Sequence, residues 1–204
     1  MQAGRPMRIF VGVDLDPEMR ARIERFVEGV RGFAPEARWV RPESLHVTLK
    51  FIGEQTAEQV DALTERLRRM ESREIEIRCG GFGFFPTAKA PRVFWIGVHA
   101  GPELAELAAG IDTAAAELGI PREERPYSPH LTLARSGGRS GSPKWQKGDG
   151  PNRAFSVLEK RLGAMSEIAF GAMMAREFVL YRSQLSSTGS VYTKLQRFRL
   201  RAAL

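Results

Sequence analysis

The sequence predicts an α+β fold of two pseudo-symmetric lobes, each with a mainly antiparallel sheet and flanking helices, facing each other across a cleft. Three observations lead there. Segments with the two-residue period of strands interleave with segments of helical period. The last two strand-like segments, near 173–182 and 190–200, are joined by a short turn at SSTG (186–189), and such a hairpin favours antiparallel pairing. Residues 41–49 (RPESLHVTL) return as 125–133 (RPYSPHLTL), identical at six of nine positions without a gap. A unit that occurs twice suggests two equivalent halves.

Taken in order, residues 8–15 (RIFVGVDL) read as a strand in which Ile9, Val11 and Val13 alternate with other residues. Asp16 followed by Pro17 has the form of a helix N-cap and a first-turn proline, and Ile23, Phe26, Val27 and Val30 follow at helical spacing toward Gly32. Residues 38–41 and 45–52 read as extended. Thr56 and Gln59 have capping-box spacing ahead of a helix with the apolar stripe Val60, Leu63, Leu67 and Met70. A strand at 74–79 leads into GGFGFFP (80–86), read as a glycine-rich corner, and another strand covers 92–99. A helix from near Pro102 carries Leu104, Leu107, Ala108, Ile111 and Leu118 and stops at Gly119. Residues 130–135 read as a strand, 136–152 as a flexible loop and 153–163 as a helix, with one more strand near 167–171 before the hairpin.

The 204 residues, 43% hydrophobic and 27% charged, suit a single bilobal domain over 1–204 with a sizeable core. Residues 1–6 read as a disordered leader, and the opening lacks the long apolar stretch of a secretory signal. No apolar run approaches the length of a membrane helix, and Cys79 is the only cysteine, so a cytoplasmic, reducing compartment and a monomer are the expectations. The formal charge of +7 fits a polyanionic partner, although charge alone equally fits a merely soluble surface.

Only three histidines occur, and two of them, His46 and His130, share the context His-x-Thr-Leu. On a strand, residues two apart share a face. The pattern therefore sets His46 and Thr48 on one face, with Leu45, Val47, Leu49 and Phe51 on the other, and likewise His130 and Thr132 opposite Leu131 and Leu133. The apolar set can anchor each strand in its lobe while the polar pairs meet across the cleft. In-line displacement at phosphorus puts entering and leaving oxygens on opposite sides, so two imidazoles from opposing lobes can serve both as base and acid. The motif alone leaves open which is which. The threonine hydroxyls could hold non-bridging oxygens, and Arg135 could add the needed positive charge, the alternative being a solvated arginine at a strand end.

Rival chemistries lack their marks. No P-loop run, no Gly-x-Ser-x-Gly elbow and no closely spaced His/Cys metal-ligand set is present. No metal and no cofactor is expected. In the 136–152 stretch, Lys144, Trp145 and Lys147 could touch RNA, though an incidental exposed aromatic fits as well. His99 lies outside both motifs and reads as structural. Phe82, Phe84 and Phe85 read as packing residues.

HVTL (46–49) and HLTL (130–133) resemble the paired motifs of the 2H phosphoesterase superfamily. With RIFVGVDL, RWVRPESLHVTLKFIGE (38–54), GFGFFP (81–86), PRVFWIGV (91–98), RPYSPHLTLAR (125–135) and FVLYRSQLSSTGSVYTKLQRFRL (178–200), the chain resembles the RNA 2′,3′-cyclic phosphodiesterases, also called 2′-5′ RNA ligases. The resemblance implies a bilobal fold with a positively charged central groove. It implies metal-independent opening of an RNA terminal 2′,3′-cyclic phosphate to a 2′-phosphate, with reverse 2′-5′ ligation as a side activity. It further implies His46 as proton donor, His130 as proton acceptor, and Thr48, Thr132 and Arg135 as phosphate-binding residues. The same chemistry on a small nucleotide metabolite, or a non-catalytic RNA-binding module of the same fold, are the other readings.

Overall fold

The computed structural model describes residues 6–87, 91–136, 155–165, 168–186 and 189–202. The leader up to residue 5 and the loop from 137 on, with Lys144, Trp145 and Lys147, lie outside them. The chain runs β1 (Met7–Asp14), α1 (Pro17–Val30), β2 (Arg38–Trp39), β3 (His46–Gln55), α2 (Ala57–Arg68), β4 (Ile75–Phe85), β5 (Val93–Ala100), α3 (Pro102–Ala116), β6 (His130–Arg135), α4 (Ser156–Gly163), β7 (Ala169–Ala175), β8 (Glu177–Ser186) and β9 (Gly189–Arg199).

Local signals set several of these bounds. The Asp16 carboxylate accepts the Met19 N–H at 2.7 Å and Pro17 follows it, which starts α1. Thr56 and Gln59 form the reciprocal capping box of α2. Gly119, at φ +79°, takes the left-handed conformation just past α3.

The strands form one sheet in the order β7-β4-β5-β6-β3-β1-β8-β9, with β2 added to β6. The ladders between these strands are all antiparallel. Divided at its middle, the order gives two four-stranded halves, each with a histidine strand innermost. The halves meet where Val47 pairs with Leu131. They also exchange chain: β4 leaves the first half to pair with β5, and β8 returns to pair with β1. One apolar cluster spans both halves, and Val47, Leu131 and Leu133 are wholly buried in it. Among the described residues no helix is long and apolar enough to cross a membrane.

Two departures from the sequence pattern bear on the site. Phe51 does not share a face with Val47 and Leu49. Val11 pairs with Lys50 and Gly12 with Thr48, so Leu49 has no partner of its own and the strand bulges there. One extra residue inverts the facing of the residues that follow, here Lys50 and Phe51, up to a second register shift at Ile52. Lys50 is thereby turned into the interior, 5% exposed, where its ammonium donates to Asp112 Oδ1 at 2.6 Å and to the Pro121 carbonyl at 3.0 Å. Phe51 is turned out, 52% exposed. β6 bulges at the matching place: Phe94 pairs with Ala134 and Trp95 with Thr132, which skips Leu133. Ala134 is buried and Arg135 is thrown onto the face of His130 and Thr132.

The other departures are of boundary. The glycine-rich stretch at 80–86 is not a corner. β4 runs through it to Phe85, because Gly81 at φ +66° absorbs a bulge between Gly80 and Phe82. The break before the final hairpin falls at Arg176, where the chain leaves its pairing with β4 and joins β1.

Candidate active site

His46 and His130 are the first residues of β3 and β6, the two strands that meet at the seam. Each is reached through the repeated Arg-Pro-x-Ser segment, and each is held the same way. His46 Nδ1 lies 2.8 Å from the Ser44 carbonyl oxygen, and His130 Nδ1 lies 2.8 Å from the Ser128 carbonyl oxygen. A carbonyl only accepts, so Nδ1 carries the hydrogen in both rings, and Nε2 is left to exchange protons with a ligand.

One hollow joins them. His46, Thr48 and Phe51 line it from β3, His130, Thr132 and Arg135 from β6, Val40 and Ser44 from the segment entering β3, and Tyr192 from β9. The four motif residues and Arg135, the cation just past the second motif, thus converge. The two bulges bring in the fifth position after each histidine, a phenyl group in one half and a guanidinium in the other.

Aromatic rings back both imidazoles. Phe10 lies 4.6 Å and Tyr192 5.1 Å from His46, centroid to centroid. Phe85 meets His130 edge-on at 4.9 Å. Gly12, opposite Thr48, makes room for the first ring: a Cβ there would lie 2.8 Å from the Val47 carbonyl oxygen and 3.4 Å from His46 Cδ2. Phe84 is buried and Phe82 packs edge-on against it, so these two phenylalanines pack as expected. His99 stands exposed on β5, outside the hollow.

Burial governs the electrostatics. It pushes the His46 pKa from 6.5 down to about 4, against the Ser44 hydrogen bond and the charge of Asp14, both of which favour the imidazolium. Burial also lowers His130, and the Arg135 charge adds to that. The halves differ here. Asp14 is the cross-strand partner of His46, whereas Gly97 stands opposite His130. Asp14 is itself engaged by Arg20 at 2.6 Å and by Lys194; these contacts outweigh burial and hold its carboxyl below the usual range.

Sequence reasoning did not find four contributors. The Ser44 and Ser128 carbonyls act through the backbone; their trace was the serine repeated two residues before each histidine. Phe51 was assigned to the wrong face. Tyr192 sits on the last strand, far along the chain from either motif, with no local signal.

The family described as LigT-like phosphoesterase matches residues 13–95 and again 96–192, so each match contains one histidine motif. A protein of Methanothermobacter thermautotrophicus named RNA 2′,3′-cyclic phosphodiesterase is 32% identical over 198 residues, covering 95% of this chain and 99% of its own. One of Archaeoglobus fulgidus with the same name is 33% identical over 192 residues, covering 94% and 99%. Among solved structures, E. coli LigT complexed with 3′-AMP superposes with a TM-score of 0.74 at 27% identity, covering 96% of this chain and 98% of that one.

Proposed function

Because the chain belongs to the LigT-like phosphoesterase family, we propose that it hydrolyses the terminal 2′,3′-cyclic phosphate of RNA to a 2′-phosphate, with His46 as proton donor and His130 as proton acceptor. The observation that carries this reading is the pair of identically held imidazoles opening on one hollow. A lone buried histidine is usually structural. Two with the same tautomer, each beside a threonine hydroxyl, form an acid–base pair flanking space for a phosphoryl group.

Water enters on the His130 side. His130 Nε2 takes its proton as the new P–O bond forms, and His46 gives a proton to O3′ as the P–O3′ bond breaks. Thr48 and Thr132 hold the non-bridging oxygens, and Arg135 offsets their charge. No metal and no cofactor takes part. Burial inclines both histidines to the neutral form. A docked phosphodiester anion raises their proton affinity, and the charge of Asp14 does so further at His46, which supports its role as donor. A 5′-hydroxyl in place of water would give a 2′-5′ linkage by the same proton transfers. The net charge of +7 supports a polyanionic substrate.

The test is product identity. RNA ending in a 2′,3′-cyclic phosphate is incubated with the protein and the terminus analysed. A 2′-phosphate is expected. A 3′-phosphate would show that the 2′ oxygen leaves and overturn the donor assignment, and an untouched cyclic end would overturn the activity.

A further inference from the structure

The two walls of the hollow do not match. From β6 come His130, Thr132 and the Arg135 guanidinium. From β3 come His46, Thr48 and, where the bulge answers to Arg135, the ring of Phe51, which donates no hydrogen bond. A cyclic phosphate has two non-bridging oxygens, and both need donors as charge spreads over them in the transition state. The β3 wall is one donor short.

Tyr192 stands at that wall. It belongs to β9, the edge of the β3 half, three strands away in the order β3-β1-β8-β9. On a flat sheet that separation is about 14 Å. Its ring nevertheless meets His46 edge-on at 5.1 Å and Phe10 at 5.0 Å. This half therefore curls, and its edge strand leans over the histidine face. No described residue of β7, the edge of the other half, lines the hollow. Arg135 faces Tyr192 from the β6 wall. Burial lowers the Arg135 pKa, and of the ionisable groups acting on it the Tyr192 oxygen comes first, in the raising direction. Among the described residues no hydrogen bond engages the Tyr192 hydroxyl. It is a donor with no acceptor, in a hollow suited to an anion.

We propose that Tyr192 is a further substrate-binding residue, its hydroxyl donating to the non-bridging phosphate oxygen on the His46 side as Arg135 does on the His130 side. The inference rests on the cyclic-phosphodiesterase reading above. A neutral donor suits this wall. A second guanidinium beside His46 would oppose its imidazolium, whereas a hydroxyl holds the oxygen and leaves the proton on His46.

The experiment uses the whole chain and three variants. Tyr192→Phe keeps the ring against His46 and removes only the oxygen. Tyr192→Leu removes both. Tyr181→Phe is the control: this ring also lies near His46, at 5.8 Å, but its hydroxyl is buried without a partner and does not line the hollow. Turnover is measured on a short RNA ending in a 2′,3′-cyclic phosphate, and affinity for inorganic phosphate by titration calorimetry. Tyr192→Phe should lower kcat/KM roughly ten- to a hundredfold, the loss expected for one hydrogen bond to a charged group, with its unfolding midpoint unchanged. Its phosphate affinity should fall as well, and Tyr181→Phe should keep both. Wild-type kcat/KM in Tyr192→Phe overturns the proposal; joined to a damaged Tyr192→Leu, it shows that the ring alone matters, as packing for His46. If the wild type does not turn over the RNA, the activity reading has failed, and phosphate binding judges Tyr192. Weaker binding in Tyr192→Phe then supports its role; equal binding, or none in the wild type, overturns it.

Discussion

Tyr127 donates its hydroxyl hydrogen to the carbonyl oxygen of Thr48 at 3.2 Å, so the segment leading into His130 is fastened to the strand that carries His46. Burial raises the Tyr127 pKa well above the usual phenol range, which keeps the hydroxyl a donor. Together with the Val47–Leu131 pair, this bond ties the two histidine strands at the seam.

Tyr127→Phe keeps the ring and removes only the bond. Thermal or denaturant unfolding should show a loss of about 1 kcal/mol. A shift of part of an ångström between the imidazoles should also lower kcat about tenfold, with RNA affinity little altered. A variant that unfolds more easily but turns over at the wild-type rate would reduce this bond to a purely structural one.

If His46 and His130 are the proposed proton donor and acceptor, His46→Ala and His130→Ala should each lower kcat by about 10²–10⁴-fold. Binding of a 2′-phosphate-ended RNA, followed by fluorescence anisotropy, should persist in both. On the proposed mechanism the imidazoles do the work that a metal-bound water does elsewhere, so wild-type turnover should survive excess chelator. Turnover that needs added Mg²⁺ or Mn²⁺ would sink this assignment.

The pKa of His46 predicts a signed effect of pH on stability. Folded His46 takes up its proton only near pH 4, whereas the unfolded chain does so near 6.5. Above 6.5 neither state is protonated there and the group contributes nothing to the pH dependence. As pH falls below 6.5 the unfolded chain binds the extra proton, so stability declines down to about 4 and then levels. The loss across that window is on the order of 3 kcal/mol. Asp14 and Asp112, both lowered, lose their stabilisation only at more acid pH, as pH falls through their folded values. His46→Asn should therefore flatten the slope between 6.5 and 4.5 in urea unfolding; an equal slope in both proteins would contradict the burial argument. Activity should follow a bell-shaped profile if, as proposed, one imidazole works neutral and the other charged.

Lys50→Ala should be the most damaging substitution on β3 outside the hollow. It leaves the Asp112 carboxylate without its interior partner, a change that costs about 3–5 kcal/mol where such pairs are buried. Asp112 keeps Arg122 at 3.1 Å, so the lower end is expected. Equilibrium unfolding of Lys50→Ala measures this, and a loss under 1 kcal/mol would show the ammonium to be dispensable.

Much of this was legible in the residues. Alternation gave β1, the capping box gave α2, and the repeat gave both the two halves and four of the five residues that converge, Arg135 being added for its charge just past the second motif. Other features were hidden for physical reasons. A bulge leaves no mark in an alternating pattern such as HVTLKF, so Phe51 read as sharing the apolar face of Val47 and Leu49. Glycines at 80–83 suit a turn and a bulged strand equally, and only the pairing of β4 with β5 and β7 decides. The exchange of β4 and β8 between halves depends on partners distant in sequence. The carbonyls of Ser44 and Ser128 belong to the backbone and have no side-chain signature.

The matched bulges carry one more consequence. A catalytic centre with true two-fold symmetry could accept its substrate in either of two opposite directions and could not tell the departing oxygen from the attacking one. At the register position the bulges expose, one half shows a ring and the other a fixed cation. That mismatch, together with Asp14 opposite one histidine and Gly97 opposite the other, gives the hollow a head and a tail, so on the proposed reading an RNA strand, which also has two unlike ends, should seat in one direction only.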